Sequence, residues 1–177
     1  MGKTIAELAK NQHHEIILTI DADNKKDLQS DLFKSADVAI EFTQPNQAFG
    51  NIIACFEAGV PVVCGTTGWY DELPKLVAAC NEKNWSLIYA SNFSIGVNLF
   101  FVLNKILAKQ MSQYPDYKVS MQETHHTAKL DAPSGTAISL ANGIIENSDY
   151  TKWTMDSAHQ NEIHIEAKRI ENIPGTH

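Results

Sequence analysis

Three short, almost wholly apolar runs, at residues 37–41, 61–64 and 86–89, are separated by helical patterns and constrain this chain more than any other feature. Such runs read as strands covered on both faces. Strands joined through helices pair in parallel within one sheet. The connecting patterns agree: residues 45–58 read as a helix opened by Pro45 and closed by Gly59, and residues 70–81 as another. Before them, residues 4–10 continue a helix with Ile5, Leu8 and Ala9 on one side, and residues 15–20 form a β-rich run that ends in Asp21.

After Phe93 the rhythm changes to a long apolar helix at 97–111, an alternating strand at 117–123, a helix at 134–145 and a second alternating strand at 162–168. Alternation implies one solvated or subunit-facing side, so a mixed α+β domain is expected here. A β-α-β fold calls for a strand before the helix at 4–10, yet only Met1, Gly2 and Lys3 precede it. The founding strand, with the glycine-rich turn that lets backbone approach a pyrophosphate, is therefore expected to be missing, with Gly2 as the turn's last glycine. At the other end, residues 173–177 stop in a turn, so the strand at 162–168 is expected to lack its partner. These features predict a fragment that is less stable than its parent and has exposed sheet edges.

Composition narrows the function classes. The 177 residues are 44% hydrophobic with no bilayer-spanning run, which predicts a soluble globular protein and no membrane partner. With 14 Lys and Arg against 21 acids and a formal charge of −7, the chain has no basic face for nucleic acid. Cys55, Cys64 and Cys80 are widely spaced and contain no C-x-x-C pair, so they read as buried thiols in a reducing cytoplasm. No secretory signal opens the chain.

Residues 123–137, Glu-Thr-His-His-Thr-Ala-Lys-Leu-Asp-Ala-Pro-Ser-Gly-Thr-Ala, concentrate the chemistry. His125 and Lys129 can each move a proton, and backbone N–H groups of Ser134, Gly135 and Thr136 at a helix start make a carboxylate site. Together they point to an anionic substrate that is protonated during reaction. Adjacent residues of an extended segment face opposite sides, so His125 and His126 are not expected to share a metal ion, and no carboxylate–histidine spacing completes a zinc site. His13 and His14 read only as solvent-facing polarity. Gly65-Thr-Thr-Gly serves equally well as a strand-to-helix turn, Cys64 reads as strand packing, and Asp23 competes with Asp21 for any ribose role.

The 123–137 segment resembles the signature of the dihydrodipicolinate reductase family, and Gly65-Thr-Thr-Gly-Trp69, Ala90-Ser-Asn-Phe-Ser-Ile-Gly-Val-Asn98 and Glu41-Phe-Thr-Gln-Pro45 follow the family's order. The resemblance implies an α/β fold: a Rossmann-like parallel nucleotide-binding domain over residues 1–93, then a mixed α+β substrate and tetramerisation domain over 94–177. It implies NAD(P)H-dependent reduction of a small cyclic dicarboxylate, 4-hydroxy-tetrahydrodipicolinate, by a cytoplasmic homotetramer of lysine and diaminopimelate biosynthesis. His125 is then the proton donor and acceptor, Lys129 a second donor, and His126, Gly135 and Thr136 bind substrate. Met1, Gly2, Gly65, Thr66, Thr67, Ala90, Ser91, Asn92 and Phe93 contact the cofactor. Asp21, about 20 residues after the glycine turn, suits an adenosine ribose and would repel a 2′-phosphate, which favours NADH, although Lys25 and Lys26 supply compensating charge. Two alternatives stand beside this reading: another two-domain nicotinamide oxidoreductase, and an inactive fragment. No cysteine beyond Cys80 is available to a semialdehyde-type dehydrogenase.

Overall fold

A computed structural model describes all residues from 1 to 177, which divide into two compact units, Met1–Ala90 and Ser91–His177. In the first unit, β1 (Ala39–Glu41), β2 (Val62–Cys64) and β3 (Leu87–Tyr89) form a parallel sheet in that order. Glu41, Cys64 and Tyr89 are level in the register, so the loops that follow the three strands leave from one edge. Helix α1 (Gly2–Asn11), a 3-10 turn (Lys25–Gln29), α2 (Asp31–Lys34), α3 (Pro45–Glu57) and α4 (Leu73–Lys83) complete the unit. Pro45 opens α3 where a missing N–H costs nothing, and Gly59, at φ +79°, leads the chain out of it. Asn84 takes the left-handed position after α4 at φ 54°. Ile52 and Phe56 of α3, Leu76 of α4, and Val62 and Cys64 of β2 form the core.

Residues 15–20 are not a strand, contrary to the expectation from their composition. They are extended, but no backbone hydrogen bonds join them to a neighbouring strand. Leu18 and Ile20 nevertheless pack against the core, so their apolar character serves packing without a ladder. Helix α1 forms as expected but buries no residue, and Leu8 is 60% exposed.

The second unit contains α5 (Ile95–Met111), β4 (Ser120–His125), α6 (Gly135–Ile145), β5 (Lys152–Thr154) and β6 (Glu162–Arg169). Its sheet order is β4-β6-β5 and both pairings are parallel. Along β6, Ile163 and Ile165 are buried while Glu166 and Lys168 are exposed, so alternation here reports a parallel sheet covered on one face. The strand also has partners on both sides and is the centre of its sheet. The sequence reading missed β5 because three residues, Lys152-Trp-Thr, are too short to show a period. Ala137, Ala141 and Ile144 of α6 and Ala108 of α5 meet Ile163 and Ile165 in the core. Asn104 ties α5 to α6 by donating from Nδ2 to the Leu140 carbonyl at 2.9 Å. No helix is long and apolar enough to cross a membrane.

Because Ile165 is wholly buried in the central strand, Ile165→Ala should destabilise the second unit by about 2–5 kcal/mol, read as a lowered denaturation midpoint.

Candidate active site

Strand β4 projects Glu123 and His125, two residues apart, toward one side of the sheet. Glu123 is fully buried, and each carboxylate oxygen lies 3.1 Å from the Ser134 N–H that precedes α6. Arg169, paired with His125 in the ladder, donates from Nη2 to Glu123 Oε1 at 3.1 Å and to the Asp131 carbonyl at 2.6 Å. The Oε2 oxygen lies 3.4 Å from His125 Nδ1 in an ion-pair contact, although the alignment is not that of a hydrogen bond and Nδ1 has no other partner.

The final residues close over this group. Thr124 and Thr176 exchange backbone hydrogen bonds at 2.9 Å, which sets Gly175 against the His125 ring. A Cβ on Gly175 would stand 2.8 Å from His125 Nε2 and Cδ2, so only a glycine fits against that edge of the imidazole. His177 Nε2 lies 2.9 Å from Ser134 Oγ and 3.6 Å from Glu123 Oε2, with its ring edge-on to His125 at 5.1 Å. Lys129 Nζ reaches both oxygens of Asp131, at 2.8 and 2.9 Å.

Burial pushes the His125 pKa down, opposed by the Glu123 charge and reinforced by Lys129 and Arg169, and the net shift is downward from 6.5. His177 is lowered by burial and by the neighbouring imidazole. For Glu123, burial acts upward, but hydrogen bonds from Ser134 and Arg169 and the His125 charge outweigh it, so its pKa falls below 4.5.

Two of the expected residues, Ser134 and His126, are arranged differently from the expectation. The Ser134 N–H, expected to help receive a ligand carboxylate, is occupied by the protein's own Glu123. Ser134 caps α6 by accepting from the Ala137 N–H at 3.1 Å, so the first-turn N–H groups of Gly135 and Thr136 are the ones without intrahelical acceptors. His126 leaves the cluster and lines an open cavity with Thr127, Ala128, Glu171 and Asn172. Glu123, His125 and His177 offer ligand atoms within 4.8 Å of one another, a grouping that the sequence spacing did not display. The carboxylate is already committed to the Ser134 N–H and Arg169, which marks the group as a charge-balanced hydrogen-bonding network. Glu123, Asp131, Arg169, Gly175 and His177 were missed. Only Glu123, two residues before His125 in an alternating strand, carried a sequence signal.

In the first unit, Glu41 at the end of β1 is buried and organises the turn after β2. Its carboxylate accepts hydrogen bonds from Thr66 Oγ1 at 2.6 Å, from Cys64 Sγ at 3.1 Å, from Asn51 Nδ2 at 3.3 Å and from the Thr43 hydroxyl. Thr66 Oγ1 in turn accepts from the Thr43 N–H at 2.7 Å, so this threonine holds the turn from inside. Gly65 lies against the Phe42 ring, where any side chain would collide at about 2 Å. Thr67 is partly exposed in the same turn. Burial, with the Glu41 hydrogen bond and charge, pushes the Cys64 thiol up to about 12, a value suited to packing and not to attack.

The remaining cofactor candidates fall on either side of the unit boundary. Ala90 donates its N–H to the Cys64 carbonyl at 3.3 Å in the first unit. In the second, Ser91 Oγ is 2.9 Å from Ser139 Oγ, Asn92 Oδ1 accepts from the Ser94 N–H at 2.9 Å, and Phe93 is 47% exposed. Asp21 ends no strand, because 15–20 has no ladder. Its Oδ1 accepts from the Asp23 N–H at 2.9 Å in a local turn, while the residue stays exposed. Met1 and Gly2 start α1, where nothing lies within 4 Å of the place a Gly2 side chain would take. Gly2 thus leaves the first backbone N–H groups of α1 uncovered by any side chain of its own.

The pKa shifts predict acid sensitivity. The unfolded histidines take up protons below 6.5 before the folded ones do, and Glu123 resists protonation below 4.5, so all three groups stabilise the fold at higher pH. Denaturation midpoints should be level above about pH 7 and fall as pH drops from 6.5 through the folded histidine values, and His125→Gln should flatten the start of that fall.

Comparison with known proteins follows the same division. Residues 1–93 match the model of the dihydrodipicolinate reductase N-terminus and residues 96–177 that of its C-terminus. A 4-hydroxy-tetrahydrodipicolinate reductase of Christiangramia forsetii is 49% identical over 100% of this chain and 74% of its own length. One from Haloarcula marismortui is 38% identical over 80% of this chain and 57% of its own. Among solved structures, a dipicolinate-bound dihydrodipicolinate reductase from Paenisporosarcina sp. TG-14 is similar at 28% identity and a TM-score of 0.53, covering 97% of this chain and 67% of that one. Matched by family models from end to end, this chain belongs to the dihydrodipicolinate reductase family.

Proposed function

We propose that the chain reduces 4-hydroxy-tetrahydrodipicolinate to tetrahydrodipicolinate, a step of lysine and diaminopimelate biosynthesis, with NAD(P)H as reductant. The observation that carries this reading is the gathering of His125, Lys129 and the open first turn of α6 around one buried carboxylate. Loss of the substrate's 4-hydroxyl as water leaves a carbon–carbon double bond conjugated with an imine. The nicotinamide supplies a hydride to that system, and one proton must follow to balance it. His125 or Lys129 delivers the proton, while the N–H groups of Gly135 and Thr136 hold a substrate carboxylate and His126 contacts the ring. Lys129 offers positive charge to a dianion and to the negative charge that grows in the transition state, while Arg169 is taken by Glu123 and the Asp131 carbonyl.

In the first unit, Gly2 and Met1, the Gly65, Thr66 and Thr67 turn, and Ala90 would hold the cofactor, with Ser91, Asn92 and Phe93 continuing that loop. The exposed Asp21 carboxylate favours a ribose hydroxyl over a 2′-phosphate, so NADH is the preferred reductant. A cytoplasmic homotetramer built through the second unit, residues 94–177, is the assembly that goes with this activity.

Oxidation of NADH in the presence of freshly made substrate tests the reading; no turnover with either nicotinamide would overturn it. Lys129→Ala should lower kcat by roughly 10²–10⁴-fold, and a variant that keeps more than half of wild-type turnover removes Lys129 from the chemistry. Gly175→Ala, by pressing on the imidazole of His125, should lower kcat by about 10–10²-fold with little change in the KM for NADH. A KM for NADPH well below that for NADH would refute the assignment of Asp21.

A further inference from the structure

Glu123 has no part in the chemistry proposed above, yet it is the most deeply placed charge in the second unit. A carboxylate with no solvent exposure is retained only where donors compensate its lost hydration. Here the Ser134 N–H bridges both oxygens at 3.1 Å and Arg169 Nη2 takes Oε1 at 3.1 Å. Neither bond uses up Oε2, which still has capacity and lies 3.4 Å from the unpartnered Nδ1 of His125.

We infer that Glu123 is the positioning residue for His125: its Oε2 receives Nδ1–H, leaving Nε2 as the nitrogen that carries the transferred proton, while Arg169 limits how strongly the carboxylate holds the proton. The inference rests on the proposed reductase activity for its catalytic meaning. Its geometric basis is the 3.4 Å approach of Oε2 to an Nδ1 that has no other partner. Gly175, lying against Nε2 and Cδ2 without a side chain, keeps that edge clear of a Cβ, and the edge-on ring of His177 limits rotation of the imidazole. The first turn of α6 is fixed by the same carboxylate through Ser134. One buried anion therefore sets both the proton carrier and the N–H groups that receive the substrate, and fixes the distance between them.

Every charged or titratable group facing His125 enters the expected pH dependence: Glu123 on its own strand, Arg169 on β6, Lys129 and Asp131 in the loop before α6, and His177 at the end of the chain. Glu123 and Asp131 favour the imidazolium, while Lys129 and Arg169 oppose it. The two ends of the clamp therefore act on His125 in opposite senses. Removing the carboxylate charge must lower its pKa, and removing the guanidinium must raise it.

The test is nitrogen-15 NMR titration of His125 in the full chain, for wild type, Glu123→Gln and Arg169→Gln, beside kcat–pH profiles with NADH. The expected result is an Nδ1–H tautomer for neutral His125 in wild type. Glu123→Gln should shift its pKa down by about one unit, so the imidazolium population falls about tenfold at pH above both values, and Arg169→Gln should shift it upward. The alkaline limb of kcat should move in the same directions if His125 is the acid, with the KM for NADH unchanged. Shifts of the same sign in both variants, or no shift in either, would show that Glu123 only supports the fold and would overturn the inference. If Glu123→Gln does not fold, the Arg169→Gln titration and the wild-type tautomer decide: a downward or absent shift, or an Nε2–H tautomer, overturns it. Opposite NMR shifts in a protein that turns over no substrate would leave Glu123 as the partner of His125 and refute the reductase reading alone.

Discussion

The second unit is organised around one buried carboxylate. Glu123 lies where β4, the start of α6, the end of β6 and the final residues of the chain converge, and it contacts each of them. A buried charge is costly, and removing one partner leaves the others uncompensated. The loop between β4 and α6 must therefore return so that Ser134 can donate its N–H, and β6 must end where Arg169 reaches both Glu123 and the Asp131 carbonyl. The position of Lys129, in that loop and paired with Asp131, follows from the same closure.

The first unit solves a similar problem with different chemistry. Glu41 is also buried at the end of a strand, but its donors are two hydroxyls, an amide and a thiol, with no cation among them. These bonds fix the turn at Gly65 through Thr66. A buried acid with neutral partners holds a loop in shape. One that shares its partners with an arginine and two imidazoles holds the loop and also adjusts the charge of its neighbours.

Parallel pairing in both units has a simple origin. A helix intervenes between β1 and β2, between β2 and β3 and between β4 and β6, so each returns in the same direction, whereas residues 155–161 alone bring the chain back from β5 to β6. In the second unit the helices cover one face only, which is why Ile163 and Ile165 alternate with exposed Glu166 and Lys168. The sequence pattern of β6 thus reports coverage of the sheet's faces and says nothing of strand direction.

Much of this was legible along the chain. The apolar runs at 37–41, 61–64 and 86–89, Pro45 and Gly59 around α3, and the Ser134 cap of α6 are local signals, because backbone preference and short-range periodicity act within a few residues. The histidine pair and Lys129 were legible for the same reason, as reactive groups set beside a helix start. The tertiary structure alone decided whether residues 15–20 found a ladder and that the strand at 162–169 lies at the centre of its sheet. It also decided that Arg169 and His177, 46 and 54 residues from Glu123 along the chain, share its carboxylate. Sheet pairing and the compensation of a buried charge are long-range, since each depends on which distant group arrives to supply the missing hydrogen bond.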